Sequence, residues 1–243
     1  MQFLLEDSWN IDGEAEDIIL YAKNNNIECK ILDYQTLYDL DSKYFLSCVY
    51  FCNTDIVQHH LSAFPDKIKF IPDTYDSIFE KYYNRKIETL EFKEFLEKYN
   101  NIKKFVKPYS NNKDFDGRVI ETLNDFTDYG VPIPDLNQKI YCCDPIIILS
   151  EVRLLIGNNK LYGHGHICKN KMDDYIQNKK FLDDLIKLTG ERFLCIDIGL
   201  MIDNGTFKWI IIEINPPFSL DDHEINFEDY ISFCIDACEY IKN

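Results

Sequence analysis

Two acidic residues sit inside apolar runs, where a lone carboxylate is costly to bury. One is Glu213, in Trp209-Ile210-Ile211-Ile212-Glu213-Ile214-Asn215-Pro216-Pro217. The other is Asp197, in Leu194-Cys195-Ile196-Asp197-Ile198-Gly199. Glu213 and Asn215 are two apart, so on a strand both project from one face. Two carboxylates and an amide oxygen converging on one spot suit Mg²⁺, which takes oxygen ligands and binds through one or two carboxylates plus substrate phosphate. The alternative is that Asp197 faces solvent and Glu213 caps something local.

The connection between the two runs decides whether they meet. A two-residue Asn204-Gly205 turn pairs Asp197 with Ile212, which turns Glu213 to the opposite face. A three-residue turn, with Gly205 as a bulge, pairs Asp197 with Ile211 and returns Glu213 and Asn215 to the Asp197 face. A metal site therefore requires the bulged turn, and the expectation is a site beside Asp203–Gly205.

Cations follow a similar pattern. Phe105-Val106-Lys107-Pro108 ends a strand in lysine, and Lys113 and Arg118 lie in the segment after it. A strand-end lysine beside a loop of further cations can hold a polyphosphate, or can be a solvated basic hairpin. Glu151-Val152-Arg153 again places two polar side chains on one strand face. The arginine offers a planar fork to a carboxylate or phosphoryl group, or makes a surface salt bridge. His164 and His166 share the same two-residue spacing, as metal ligands can, but only five histidines exist and His59-His60 are far away in sequence.

The elements that must position these groups fall into two patterns. Residues 1–65 alternate strand and helix: strands at 2–5, 28–32 and 45–52, and a helix over 13–23. The near-continuous apolar character of 45–52 suits a parallel strand covered on both sides. From 66 on, helices at 90–96, 179–188 and 227–241 mix with strands at 102–107, 151–156, 161–167, 193–202 and 207–214, the last four as two hairpins. The expected division is a small α/β domain over 1–68 and an α+β unit with antiparallel sheets over 69–243. The fingerprint G-x-G-x-x-G is absent, so the first unit is not read as a dinucleotide site.

Composition narrows the function classes. The chain has 243 residues, 46% hydrophobic and 28% charged, and a formal net charge of −16. That is ample for a core, and a surface so acidic repels phosphate backbones and anionic headgroups. No nucleic-acid or membrane partner is expected, and no apolar run approaches the roughly 20 residues a bilayer crossing needs. The nine cysteines are odd in number, irregularly spaced and without a C-x-x-C, which points to buried thiols in a reducing, cytoplasmic setting. No basic, signal-peptide-like start is read at Met1-Gln2-Phe3-Leu4-Leu5-Glu6-Asp7.

In order, the chain presents a strand-end lysine (107), a loop (109–117), a hinge strand (140–149), acid-x-Arg (151–153), an Asp strand (197) and Glu-x-Asn (213–215). This series resembles the ATP-grasp superfamily over roughly 70–222, in particular a compact group related to the ribosomal-protein glutamate ligases. Two departures are visible: the loop carries a single glycine, Gly117, and the hinge lacks a Glu-x-aromatic signature. The resemblance implies ATP and Mg²⁺ as cofactors, with Asp197, Glu213 and Asn215 holding the metal. It implies that Lys107 contacts ATP phosphates or the adenine N7, that Lys113 or another loop residue covers the phosphates, that Asp144, Ile146 and Glu151 line the nucleotide site, and that Arg153 stabilises an acyl phosphate. The implied activity joins a carboxylate substrate to an amine acceptor. A module that binds nucleotide or peptide without turnover, and an acidic interaction protein, are the alternatives.

Overall fold

The computed structural model describes residues 1–9, 13–109, 115–122, 124–127, 133–168 and 178–243. The chain opens with β1 (Gln2–Glu6), α1 (Glu14–Asn24), β2 (Glu28–Leu32), α2 (Tyr34–Tyr38), α3 (Ser42–Leu46), β3 (Val49–Phe51) and α4 (Thr54–Ser62). The three strands form a parallel sheet in the order β2-β1-β3. The apolar run predicts a strand across 45–52, but its first two residues close helix α3 and the next two form a turn. Asp41 starts α3 by accepting a hydrogen bond from the Tyr44 amide at 2.9 Å, which satisfies an orphan donor of the first turn. Only Val49–Phe51 then remains to pair with β1.

Two 3₁₀ turns, Pro65–Phe70 and Ser77–Tyr82, lead into β4 (Glu88–Glu91), α5 (Phe92–Lys98), β5 (Lys104–Pro108), β6 (Arg118–Ile120), α6 (Asn124–Thr127) and β7 (Lys139–Cys143). These strands make an antiparallel sheet in the order β4-β7-β5-β6. A third sheet, also antiparallel, has the order β11-β10-β8-β9. Its strands are β8 (Ser150–Gly157), β9 (Lys160–His166), β10 (Phe193–Asp203) and β11 (Thr206–Asn215), with α7 (Lys179–Thr189) between the two hairpins and α8 (Phe227–Lys242) last.

The third sheet positions the chemistry, because its two faces carry different residues. One face is apolar throughout: Val152, Leu154, Ile196, Ile198 and Ile211 are fully buried against Phe181 and Leu185 of α7. Alternate residues supply the other face. There Leu155 and Cys195 pack into a core shared with α8 and the parallel sheet. Further along the same strands, Arg153, Glu151, Asp197, Glu213 and Asn215 line or underlie an open cleft.

The β10–β11 hairpin corrects the expected register. Its turn is the tight two-residue Asn204-Gly205, with Asp203 opposite Thr206. Both turn residues have positive φ, 49° and 80°, as such a turn demands. The needed slip of one residue occurs instead inside β11. Ile198 pairs with Ile211 but Asp197 pairs with Glu213, so Ile212 is an extra residue. A bulge of this kind sets two consecutive side chains on one side of the strand, and Glu213 thereby faces Asp197. The site consequently lies at the far end of the hairpin from Asp203–Gly205, not beside it.

All nine cysteines are free thiols. Among the described residues no helix is long and apolar enough to cross a membrane.

Candidate active site

Asp197 is 2% exposed and held from two sides. The Arg153 fork donates Nε to Oδ1 and Nη2 to Oδ2, both at 2.9 Å. Asp197 and Arg153 stand directly opposite in adjacent strands, which is what permits a bidentate contact. From the other neighbouring strand, Asn215 donates its amide nitrogen to Asp197 Oδ2 at 2.9 Å and to Glu213 Oε1 at 3.1 Å. Lys107, at the end of β5 in the second sheet, completes the set with an ion pair to Glu213. Burial opposes ionisation of Glu213, but Lys107, Asn215 and Arg153 together outweigh it and hold this carboxyl below the usual range.

Glu151 behaves differently. Burial raises its pKa to about 7, with the Asp197 and Glu213 charges adding to the effect. The cleft thus sets one carboxyl whose ionisation burial opposes, Glu151, beside another, Glu213, that Lys107 holds below the usual range.

The bulge is braced from outside the hairpin. Arg85 donates Nη2 to the Ile212 carbonyl at 2.9 Å and Nη1 to the Ile211 carbonyl at 3.5 Å, and its guanidinium lies over the Tyr75 ring at 5.7 Å. On the cleft face, Gly199 makes room for the extra residue. A side chain there would come within 2.8 Å of both Ile148 and Ile212.

The donor set fits Mg²⁺. Asp197 and Glu213 are acids from paired strands, and Asn215 bridges them with the positive end of its amide. Their present partners are all N–H donors, the role a cation takes over. Among the described residues no three His, Cys, Asp or Glu side chains gather as a metal cluster, so two acids and an amide are the available set. His164 and His166 make no such site.

The surrounding cleft has a volume of about 490 Å³. Phe105, Phe115 and Gly117 border it near Lys107, while Thr54 and Ser219–Asp221 border it elsewhere. Lys107, Glu151, Arg153, Glu213 and Asn215 all line it. Two expected nucleotide residues do not: Asp144 is an exposed carboxylate paired with Lys104 at 2.6 Å, and Ile146 is half-buried outside the lining. Lys113 lies outside the described residues.

The model of an ATP-grasp domain family, family 2 of its clade, matches residues 82–233. The chain belongs to this ATP-grasp family. The match spans the β5 lysine, the bulged β11 and the whole cleft lining except Thr54 and Thr74. A search of curated proteins finds no matching sequence. Solved structures share the fold at low identity. N5-carboxyaminoimidazole ribonucleotide synthetase from Thermotoga maritima has TM-score 0.58 at 13% identity, covering 97% of this chain and 76% of its own. D-alanine–D-alanine ligase from Bacillus anthracis, complexed with ATP, has TM-score 0.52 at 12% identity over 100% and 98% of the two chains. A RimK domain ATP-grasp protein from Sphaerobacter thermophilus has TM-score 0.51 at 10% identity over 99% and 100%. The ATP-grasp fold, with an α/β unit leading into antiparallel sheets, is therefore the architecture of this chain.

Several residues of this ATP-grasp site carry no mark in the sequence. Arg85 stands in Asn84-Arg85-Lys86, an ordinary polar stretch, and only the fold brings it to the bulge. Asp221 opens the polar stretch Asp221-Asp222-His223-Glu224, which gives no sign that one of its acids lines the cleft. Thr54 belongs to α4 and reaches the cleft through tertiary packing alone.

Proposed function

We propose that this ATP-grasp protein is an ATP- and Mg²⁺-dependent carboxylate–amine ligase working through an acyl phosphate. The observation that carries the reading is the convergence of Asp197, Glu213 and Asn215 with two cations, Lys107 and Arg153, in one cleft. A substrate carboxylate oxygen attacks the γ-phosphorus of ATP, the bond to the bridging oxygen breaks, and ADP leaves. An amine nitrogen then attacks the acyl carbon, phosphate departs, and the nitrogen loses a proton to give an amide.

Both steps move negative charge onto phosphoryl oxygens, so fixed positive charge is the main requirement. Mg²⁺, held by Asp197, Glu213 and Asn215, supplies Lewis acidity at those oxygens when bound. Lys107 exchanges Glu213 for an ATP phosphate, and Arg153 turns part of its fork from Asp197 to the transferred phosphoryl group. Neither step needs a side-chain nucleophile, consistent with the cleft lining.

The test is ADP release by the full chain across a broad panel of carboxylates and amines. Acceptor-dependent release supports the ligase. In the same assay Arg153→Ala should lower turnover far more than ATP affinity, and Arg153→Lys should not restore it, because a point charge lacks the fork. Tight Mg·ATP binding without ADP release from any pair would instead make the chain a nucleotide-binding module.

A further inference from the structure

Past Arg153 the cleft is walled by the segment after Glu-x-Asn. That segment is fixed tightly. Ser219 Oγ donates to the Cys52 carbonyl at 2.6 Å, Tyr230 donates to the Leu220 carbonyl at 2.9 Å, and Arg153 Nη1 reaches the Asp221 carbonyl at 3.4 Å. Ser219, His223 and Glu224 all have positive φ, a conformation side-chain-bearing residues adopt only when the surroundings enforce it. Gly165 of β9 lets the segment lie flat, since a side chain there would come 2.0 Å from the His223 carbonyl. Asp221 is thus held in place by its backbone, and its carboxylate is left 39% exposed on the cleft lining.

The charges around it are already committed. Lys107 pairs with Glu213 and Arg153 with Asp197. The positive N-terminus of α4, beside Thr54, is answered by buried Glu6, whose carboxylate accepts from the Asn53 amide at 2.8 Å and from its side chain at 2.8 and 3.0 Å. His223 lies 3.8 Å from Asp221, but burial, and then Arg153, lower its pKa and disfavour the charged ring. Among the described residues no lysine or arginine side chain pairs with the Asp221 carboxylate. The lining carries four acids, Asp116, Glu151, Glu213 and Asp221, against two cations.

From this geometry we infer that Asp221 determines acceptor specificity: its carboxylate receives a cationic group, so the acceptor is a basic amine carrying a positive charge besides its attacking nitrogen. This rests on the ligase reading for the word acceptor, while the charge preference of the cleft stands on the geometry. A neutral amine gains nothing at Asp221, and an acidic amino acid is repelled there.

The experiment is calorimetric titration of the full chain, with Mg²⁺ and a non-hydrolysable ATP analogue, using lysinamide, norleucinamide and glutamate. Lysinamide should bind roughly 10- to 150-fold more tightly than norleucinamide, the value of one charge-assisted contact, and glutamate should bind weakest. Asp221→Asn should erase the preference and Asp221→Glu should retain much of it, both with an unchanged thermal midpoint. Equal affinities, a preference that survives Asp221→Asn, or no binding by any probe would overturn the inference. ADP release separates the two claims. Selective lysinamide binding without ADP release from any substrate pair faults the ligase and leaves Asp221 assigned. ADP release that favours uncharged acceptors faults Asp221 alone.

Discussion

Arg153 and Asp197 neutralise each other across β8 and β10, with each carboxylate oxygen taking one nitrogen of the fork at 2.9 Å. Both side chains are nearly buried, at 11% and 3% exposed. A buried pair of this kind contributes little net stability, yet removing one partner strands the other. The groups proposed for catalysis are therefore also structural.

Arg153→Ala should consequently cost stability, by about 3–5 kcal/mol, through the uncompensated Asp197 charge. Urea denaturation gives the value. Adding Asp197→Asn should recover part of the loss, and a double variant as unstable as the sum of the singles would show that the pair is not coupled.

Lys107→Ala removes a charge-assisted contact worth about 1.5–3 kcal/mol. ATP should bind roughly 10- to 150-fold more weakly, as read by calorimetry in the presence of Mg²⁺. Unchanged affinity would remove Lys107 from the nucleotide site.

Arg85→Met keeps much of the side chain's bulk but ends the two hydrogen bonds to the bulge carbonyls. The expected loss of stability is about 1.5–3 kcal/mol. Because the bulge aims Glu213, Mg·ATP affinity should fall as well, although Arg85 does not line the cleft. A variant that loses stability but keeps full Mg·ATP affinity would show that the bulge holds its shape unaided.

Glu14 is buried in the first turn of α1, and among the described residues neither oxygen has a hydrogen-bond donor, although Trp9 and Tyr230 lie close. Burial raises its pKa from 4.5 to about 7, and Asp222 and Asp221 add to the rise. Between those values the folded chain keeps a proton that the unfolded chain has lost, so stability falls as pH rises through that window. Glu14→Gln removes this dependence. It should match the wild type near pH 4 and exceed it by about 1–3 kcal/mol near pH 8, as measured by denaturation at both values. A gain of equal size at both would point to packing instead of ionisation.

The parts of the site legible in the sequence were those where polarity breaks an apolar run. Asp197 and Glu213 stand out because water-free surroundings make a carboxylate conspicuous. Register was not legible. The Asn204-Gly205 turn could be read, but a bulge inside Ile210-Ile211-Ile212 leaves no trace, since any of three identical residues could be the extra one. The segment at 45–52 failed for a related reason. An apolar run does not declare its period, and the deciding signal was Asp41, a cap lying four residues before the run. Asp221 and Arg85 are polar residues in polar stretches, and only tertiary structure gives them a cleft to face or a carbonyl to hold.

The extra residue in β11 has a consequence for how this chain tolerates change. Ile212 is the residue the ladder leaves unpaired, and its side chain packs near Ile148 over Gly199. Exchange for valine or leucine leaves the spacing intact. Deletion closes the bulge and leaves Ile211 opposite Ile198 and Glu213 opposite Asp197, so a chain one residue shorter keeps Glu213 and Asn215 on the cleft face through an unbroken ladder. Within this hairpin, the bulge absorbs one residue of strand length while the facing of Glu213 and Asn215 stays the same.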